Sequence, residues 1–189
     1  MTVRAGMSDI IAQLRGMTNA GTSDYTINSV AYWSDQQLQD ILDKHRFDGY
    51  SQEVVPVMEM STGELSTTRY YLGDHNIESG TDVFWISDSV GNKIDTANYS
   101  VDYNLGLVTF TANTAGLYYF ATYHSIDINA AAAEVWKQKA AYLAQKVTFK
   151  AGNQSVNLSD QYKQAMQMAD YYSQRAGARS ISFERSDTC

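Results

Sequence analysis

Among 189 residues there is one cysteine, Cys189, and one proline, Pro56. A lone cysteine excludes a disulfide framework and any thiolate metal site within one chain. At the final position it is also a poor place for reactive chemistry. No eighteen apolar residues follow one another, and the basic-then-apolar order of a signal peptide is missing. The expectation is therefore a soluble protein, made inside a cell and without a membrane partner. Histidine is scarce: His45, His75 and His124 are the three available general bases, and each has a plain place in a helix end, a turn or a strand end. A glycine-rich phosphate loop, an HExxH pair and a nucleophile elbow are all lacking. "SDSVGNKID" does not have the acidic spacing of a calcium loop. Asp74, His75 and Glu78 in "GDHNIE" could share a metal, but the set is incomplete and turns collect such residues anyway. No cofactor or metal is expected, and an enzyme ranks last among the functions considered.

Positive charge is scarce in the middle of the chain. Residues 35–127 hold fourteen Asp and Glu against four Lys and Arg, whereas the remainder holds seven against ten, within a net charge of −7. A nucleic-acid grip in that middle would have to overcome repulsion from the phosphates. Taken alone, the carboxylates read as a solvated face.

Apolar residues are plentiful, at 44%, and the length suits one ordinary domain with a real core. "SDIIAQLRGMT" places Ile10, Ile11, Leu14 and Met17 on one side of a first helix. A polar stretch with little periodicity runs from there to Tyr32. "YWSDQQLQDILDKHR", residues 32–46, is a second, short helix with a complete start signal. Ser34 can cap it, Gln37 can reach back, and Trp33 can staple onto Leu38. Leu38, Ile41, Leu42 and His45 form its stripe, with Asp35 and Lys44 on the ends that the macrodipole favours. A helix this brief is marginal alone, so the stripe must dock on the rest of the chain. "FDGYSQ" reads as its stop, with Gly49 as the turn residue.

From Glu53 the period changes to about six short runs rich in Val, Tyr, Phe, Ile and Thr. "YSVDYNLGLVTF" predicts a hairpin with Val101 and Tyr103 opposite Leu107 and Thr109. Pro56 predicts an edge strand or bulge. The period of 3.6 returns near Asp127, where "INAAAAEVWKQKAAYLAQKVTFKAG" lines Ala132, Val135, Trp136, Ala140, Leu143, Ala144 and Val147 on one face, with Gly152 to end it. A last helix, capped by Ser159, carries Tyr162, Ala165, Met166, Ala169 and Tyr172 up to Gly177. The expected fold is α+β: a helical body of about four helices, two short amino-terminal and two long carboxy-terminal, with an inserted antiparallel β module. The expected divisions are 1–52 for the first helices, 53–126 for the β module, 127–178 for the long pair and 179–189 for an extended arm.

Three sets of residues together resemble a head-tail connector, or adaptor, protein of a tailed bacteriophage. They are the Tyr-Trp-Ser-Asp start with Leu38, Ile41, Leu42 and Asp43, the Ala-rich helix around Glu134, Val135 and Trp136, and the last helix with Met166, Met168, Ala169 and Tyr172. They cover about half of the chain, and the β insertion exceeds the compact hairpin of the smallest family members. The resemblance implies a structural virion protein of the neck, at the head-tail interface, made in the host cytoplasm. Such adaptors form a ring, usually of twelve copies, under the portal protein and above the stopper or tail-terminator protein. DNA passes through the ring without sequence-specific binding. Trp33, Leu38, Ile41, Leu42, Val135, Trp136, Leu143, Met166 and Tyr172 are the expected core and ring-packing residues. Arg175, Arg179, Ile181, Phe183 and Arg185 form the arm expected to bind portal, since Ile181 and Phe183 alternate with polar residues. The competing reading is a ligand- or carbohydrate-binding β module of another virion or cell-surface protein, because an acidic domain full of aromatics could stack on sugars.

Overall fold

A computed structural model describes residues 2–61, 64–146 and 158–177 of the chain. The helices are α1 (Ser8–Thr18), α2 (Asp35–Lys44), α3 (Ile128–Lys146) and α4 (Leu158–Ser173). The strands are β1 (Tyr25–Ile27), β2 (Val30–Tyr32), β3 (Arg46–Glu53), β4 (Val55–Ser61), β5 (Glu64–Tyr71), β6 (Trp85–Asp88), β7 (Tyr99–Asp102), β8 (Leu107–Phe110) and β9 (Tyr119–Ile126). They make three antiparallel sheets: the β1-β2 hairpin, a three-stranded sheet ordered β3-β9-β6, and a four-stranded sheet ordered β4-β5-β8-β7.

The fold is α+β, but the expected helical body with an inserted β module is not what the chain builds. It is a strand-rich protein with nine strands in three sheets among the described residues, and strands are interleaved with helices from near the start. Two segments account for the difference. The polar stretch after α1 holds the β1-β2 hairpin, whose turn residues Asn28 and Ser29 both have positive φ. Strands of three residues are too short to show a period. Residues 47–52, expected to stop a helix, lie instead within β3, with Gly49 paired to Tyr123 of β9. A Cβ at Gly49 would meet the Tyr123 ring at 3.2 Å, so this glycine makes room for an aromatic instead of turning the chain.

Two cores result. Met7, Ile10, Ile11, Leu14, Leu38, Ile41, Leu42, Trp33, Ala131, Ala132 and Val135 are buried together around α1, α2 and α3. The stripe of α2 thus docks on the alanine face of α3, which lets the helices approach closely. Ser34 accepts from the Gln37 backbone N–H at 3.2 Å and Gln37 Oε1 accepts from the Ser34 N–H at 2.7 Å, completing the capping box. The second core lies between the two larger sheets and is mostly aromatic: Tyr70, Phe84, Tyr99, Phe110, Tyr119 and Tyr123, with Ile86 and Val108. Tyr70 meets Phe110 and Tyr119 edge-on, with centroids 5.4 and 5.5 Å away, a favoured geometry for ring pairs.

The alternation along β9 buries Tyr119, Ala121 and Tyr123 in the second core and ends with Ile126 in the first. β9 then passes into α3 through Asp127, whose carboxylate accepts the Ala130 N–H at 3.0 Å. The predicted β7-β8 hairpin forms with its register shifted by one: Val101 faces Val108 and Asp102 faces Leu107. β4, which carries Pro56, is an edge strand. The expected stop at Gly152 lies outside the described residues.

Candidate functional site

The two cores meet at a polar joint built around Arg4, a residue given no part in the expected site. Its guanidinium donates to both Asp43 oxygens, at 2.8 and 2.5 Å, and to Glu78, at 2.6 and 3.2 Å. Its backbone N–H donates to Gln39 Oε1 at 2.8 Å. Asp43 and Gln39 belong to α2, whereas Glu78 lies between β5 and β6, so one side chain ties the helices to the sheets. The hydrogen bonds to Asp43 and then Glu78 hold the guanidinium pKa above its ordinary value against the opposing effect of burial. Glu78 is only 1% exposed. A carboxylate so buried requires its partners: Arg4, and His124, whose Nδ1 is 3.3 Å from Glu78 Oε2. His124 Nε2 also lies 3.6 Å from Asp48, which is paired with Arg46 at 2.8 Å.

Backbone contacts close the same joint. The Ser79 N–H donates to the Gly6 carbonyl at 3.4 Å, and a Cβ at Gly6 would lie 1.8 Å from the Ser79 oxygen, so only glycine fits. Gly106, at φ +63°, approaches Asp74 equally closely. Asp74 accepts from the Tyr123 hydroxyl at 2.9 Å and from Ser125 at 3.3 Å, while His75 Nδ1 is 2.9 Å from the Leu105 carbonyl. The three residues weighed as metal ligands therefore serve three different local contacts. Among the described residues no group of three His, Cys, Asp or Glu is arranged to hold a metal, and no helix is long and apolar enough to cross a membrane.

A second set of polar contacts locks α1 and α2 onto the carboxy-terminal helices. Trp136 Nε1 and the Tyr172 hydroxyl both donate to the Met17 carbonyl, at 3.4 and 3.1 Å. Lys139 Nζ donates to the Thr18 and Asn19 carbonyls at 2.9 Å each and pairs with Asp24 at 2.8 Å. The exposed carbonyl end of α1 is thus satisfied by three side chains from α3 and α4. At the far end of α2, Lys44 and His45 pair with Glu134 at 2.5 and 3.0 Å. Burial pushes the Glu134 carboxyl up, but the hydrogen bonds from Lys44 and His45 outweigh it and hold the pKa below its ordinary value.

Of the expected packing residues, Trp33, Leu38, Ile41, Leu42 and Val135 are fully buried in one cluster. Trp136, Leu143, Met166 and Tyr172 are half-buried, and Tyr172 packs against that cluster. The alanines Ala140, Ala165 and Ala169 are buried where α3 and α4 lie together. Arg175 lies over the Tyr171 ring at 3.5 Å. The other arm residues, Arg179, Ile181, Phe183 and Arg185, lie outside the described residues. The aromatics that favoured a sugar-stacking surface are largely consumed by the second core, and Trp85 is covered by the Lys93 ammonium 4.0 Å from its ring. Arg4 had one signal in the sequence: a cation four positions ahead of the α1 start, where the macrodipole disfavours it, needs a carboxylate nearby. Its partner, seventy-four positions away, had none. No protein-family model matches the sequence, and no curated protein matches it either.

Proposed function

We propose that the protein is a structural subunit of a tailed-phage virion: a head-tail adaptor that packs with copies of itself into a ring at the neck. In this reading the ring, of twelve copies by resemblance, lies between the portal protein and the stopper or tail terminator, and DNA passes through without sequence-specific binding. The subunit is made in the host cytoplasm and is carried into the virion. Arg175 and the arm beyond it reach the portal.

The observation that supports this reading is the convergence of the three segments that carry the resemblance. Residues 32–46, the helix around Trp136 and the helix with Met166 and Tyr172 are far apart in sequence, yet they share one packed unit. Arg4, Glu78, Lys139 and Glu134 serve to hold elements together, which suits a subunit selected for rigidity. The acidic surplus of the sheets suits a passage that must not adhere to a moving polyanion.

The test is the mass of the purified protein, alone and mixed with the portal protein encoded in the same genome, by light scattering on a sizing column. A ring-sized complex with portal is expected. A monomer mass under both conditions, with portal eluting separately, overturns the reading.

A further inference from the structure

The four-stranded sheet has an outer face that carries exposed apolar side chains. Registers place Val55 opposite Tyr71, Tyr71 opposite Leu107 and Leu107 opposite Asp102, so these four form one row across the sheet. Their neighbours on the inner face, Tyr70 and Val108, are fully buried, which fixes the row as the outward one. In the row Val55 is 60% and Tyr71 46% exposed. Val57 continues this apolar face on β4, followed by the Arg69–Glu59 ion pair at 2.8 Å. β4 is also an edge strand, with one side of its backbone free to take a further strand.

The described chain ends near the residues that follow β5. Gly177 donates its N–H to Asp127 at 2.8 Å and lines one cleft with Gly73, Asp74 and His75, two to four positions beyond Tyr71. Twelve residues follow, 178–189, and an extended chain of that length spans about 40 Å. Phe183 is six residues past Gly177, a reach of about 20 Å, whereas four strands together span about 15 Å. The reach therefore exceeds the width of the sheet. The segment carries Ile181 and Phe183 in alternation, with Arg179 and Arg185, while residues 35–127, which include the four-stranded sheet, hold fourteen Asp and Glu against four Lys and Arg.

We infer that this outer face is the dock for residues 178–189 of the same chain in the unassembled subunit, with Ile181 and Phe183 covering Val55, Tyr71 and Leu107. The dock does not depend on the adaptor reading. Within that reading, it keeps the arm's apolar side chains covered until the portal takes them.

The lone Cys189 allows a direct test. A nitroxide is attached to Cys189 of the full-length, 15N-labelled protein, and amide spectra are compared before and after reduction of the label. Selective loss of the Val55, Tyr71 and Leu107 signals, regained on reduction, is expected. Ile181→Ser with Phe183→Ser should abolish the loss while leaving the remaining spectrum unchanged. Intact Val55, Tyr71 and Leu107 signals with the label oxidised, or a loss that persists in the double variant, overturn the proposal. In a second sample, spin-labelled protein without 15N is mixed with 15N-labelled Cys189→Ser protein. The same loss there would assign the face to the arm of a second copy and overturn docking in cis.

Discussion

The two cores of this protein solve the same burial problem with different materials. Around α1, α2 and α3 the filling is mostly aliphatic, Leu, Ile and Ala, together with Trp33 and Tyr25, and polar side chains reach across to cap the ends of neighbours. Between the sheets the filling is aromatic, and the rings set the spacing by edge-on and stacked contacts. Long-range hydrogen bonds thus tie the helical elements together, while ring contacts fill most of the sheet core. The cores do not stand apart, since β9 contributes Tyr123 to one and Ile126 to the other, and Arg4 spans the gap.

That comparison breaks most severely at Trp33. It is 1% exposed in the helical core, edge-on to Tyr25 and Tyr32. Trp33→Ala should cost about 3–5 kcal/mol. Denaturant unfolding followed by far-ultraviolet dichroism and by tyrosine fluorescence should still show coincident transitions, because β3 and β9 couple the cores. Separate transitions would mean that the aromatic core holds by itself.

Arg4→Met should come next, at about 1–3 kcal/mol, because it leaves Glu78 buried without its cation. Adding Glu78→Gln should recover a large part of that loss, since the uncompensated charge is then gone. A double variant no better than Arg4→Met would show that the cost lies in the lost Asp43 contacts instead. Hydrogen exchange at Ser79 and Gln39 would locate the loosening at the joint.

The smallest effect is expected at Glu134 and depends on pH. Its folded pKa lies below the ordinary glutamate value, so its contribution is present above that value, about 4.3, and is lost as pH falls toward the lower folded one. Below about pH 4 the unfolded chain takes up a proton that the folded site resists. Glu134→Gln should therefore lose that contribution at neutral pH and flatten the fall of stability on acidification, so that the two proteins converge in acid. An unchanged acid slope would mean that Lys44 and His45 contribute no net stabilisation through this carboxylate.

Local chemistry was legible in the residues themselves. The capping box at Ser34 and Gln37, the α2 stripe, the alanine face of α3 and the edge position of Pro56 follow from side chains within one turn or one strand, and a sequence displays such neighbours directly. β3 was not legible, because its pattern mixes Arg46, Asp48, Gly49 and Gln52 and it becomes a strand only through pairing with β9 some seventy positions later. The β1-β2 hairpin was missed for want of length. The candidate joint was hidden for a related reason. Arg4, Asp43, Glu78 and His124 are scattered over 120 positions, and a charge acquires a partner only when the chain has closed around it.

By itself, then, the sequence determined where helices start, which faces of α1, α2 and α3 are apolar, and that an acidic, aromatic, strand-forming stretch lies between them. Tertiary structure decided that strands begin before that stretch, that most of its aromatics face inward, and that Arg4 joins the two cores. The division follows from range: propensity, capping and periodicity act within about a turn. Strand pairing and burial of charge depend on which distant residues arrive at the same place.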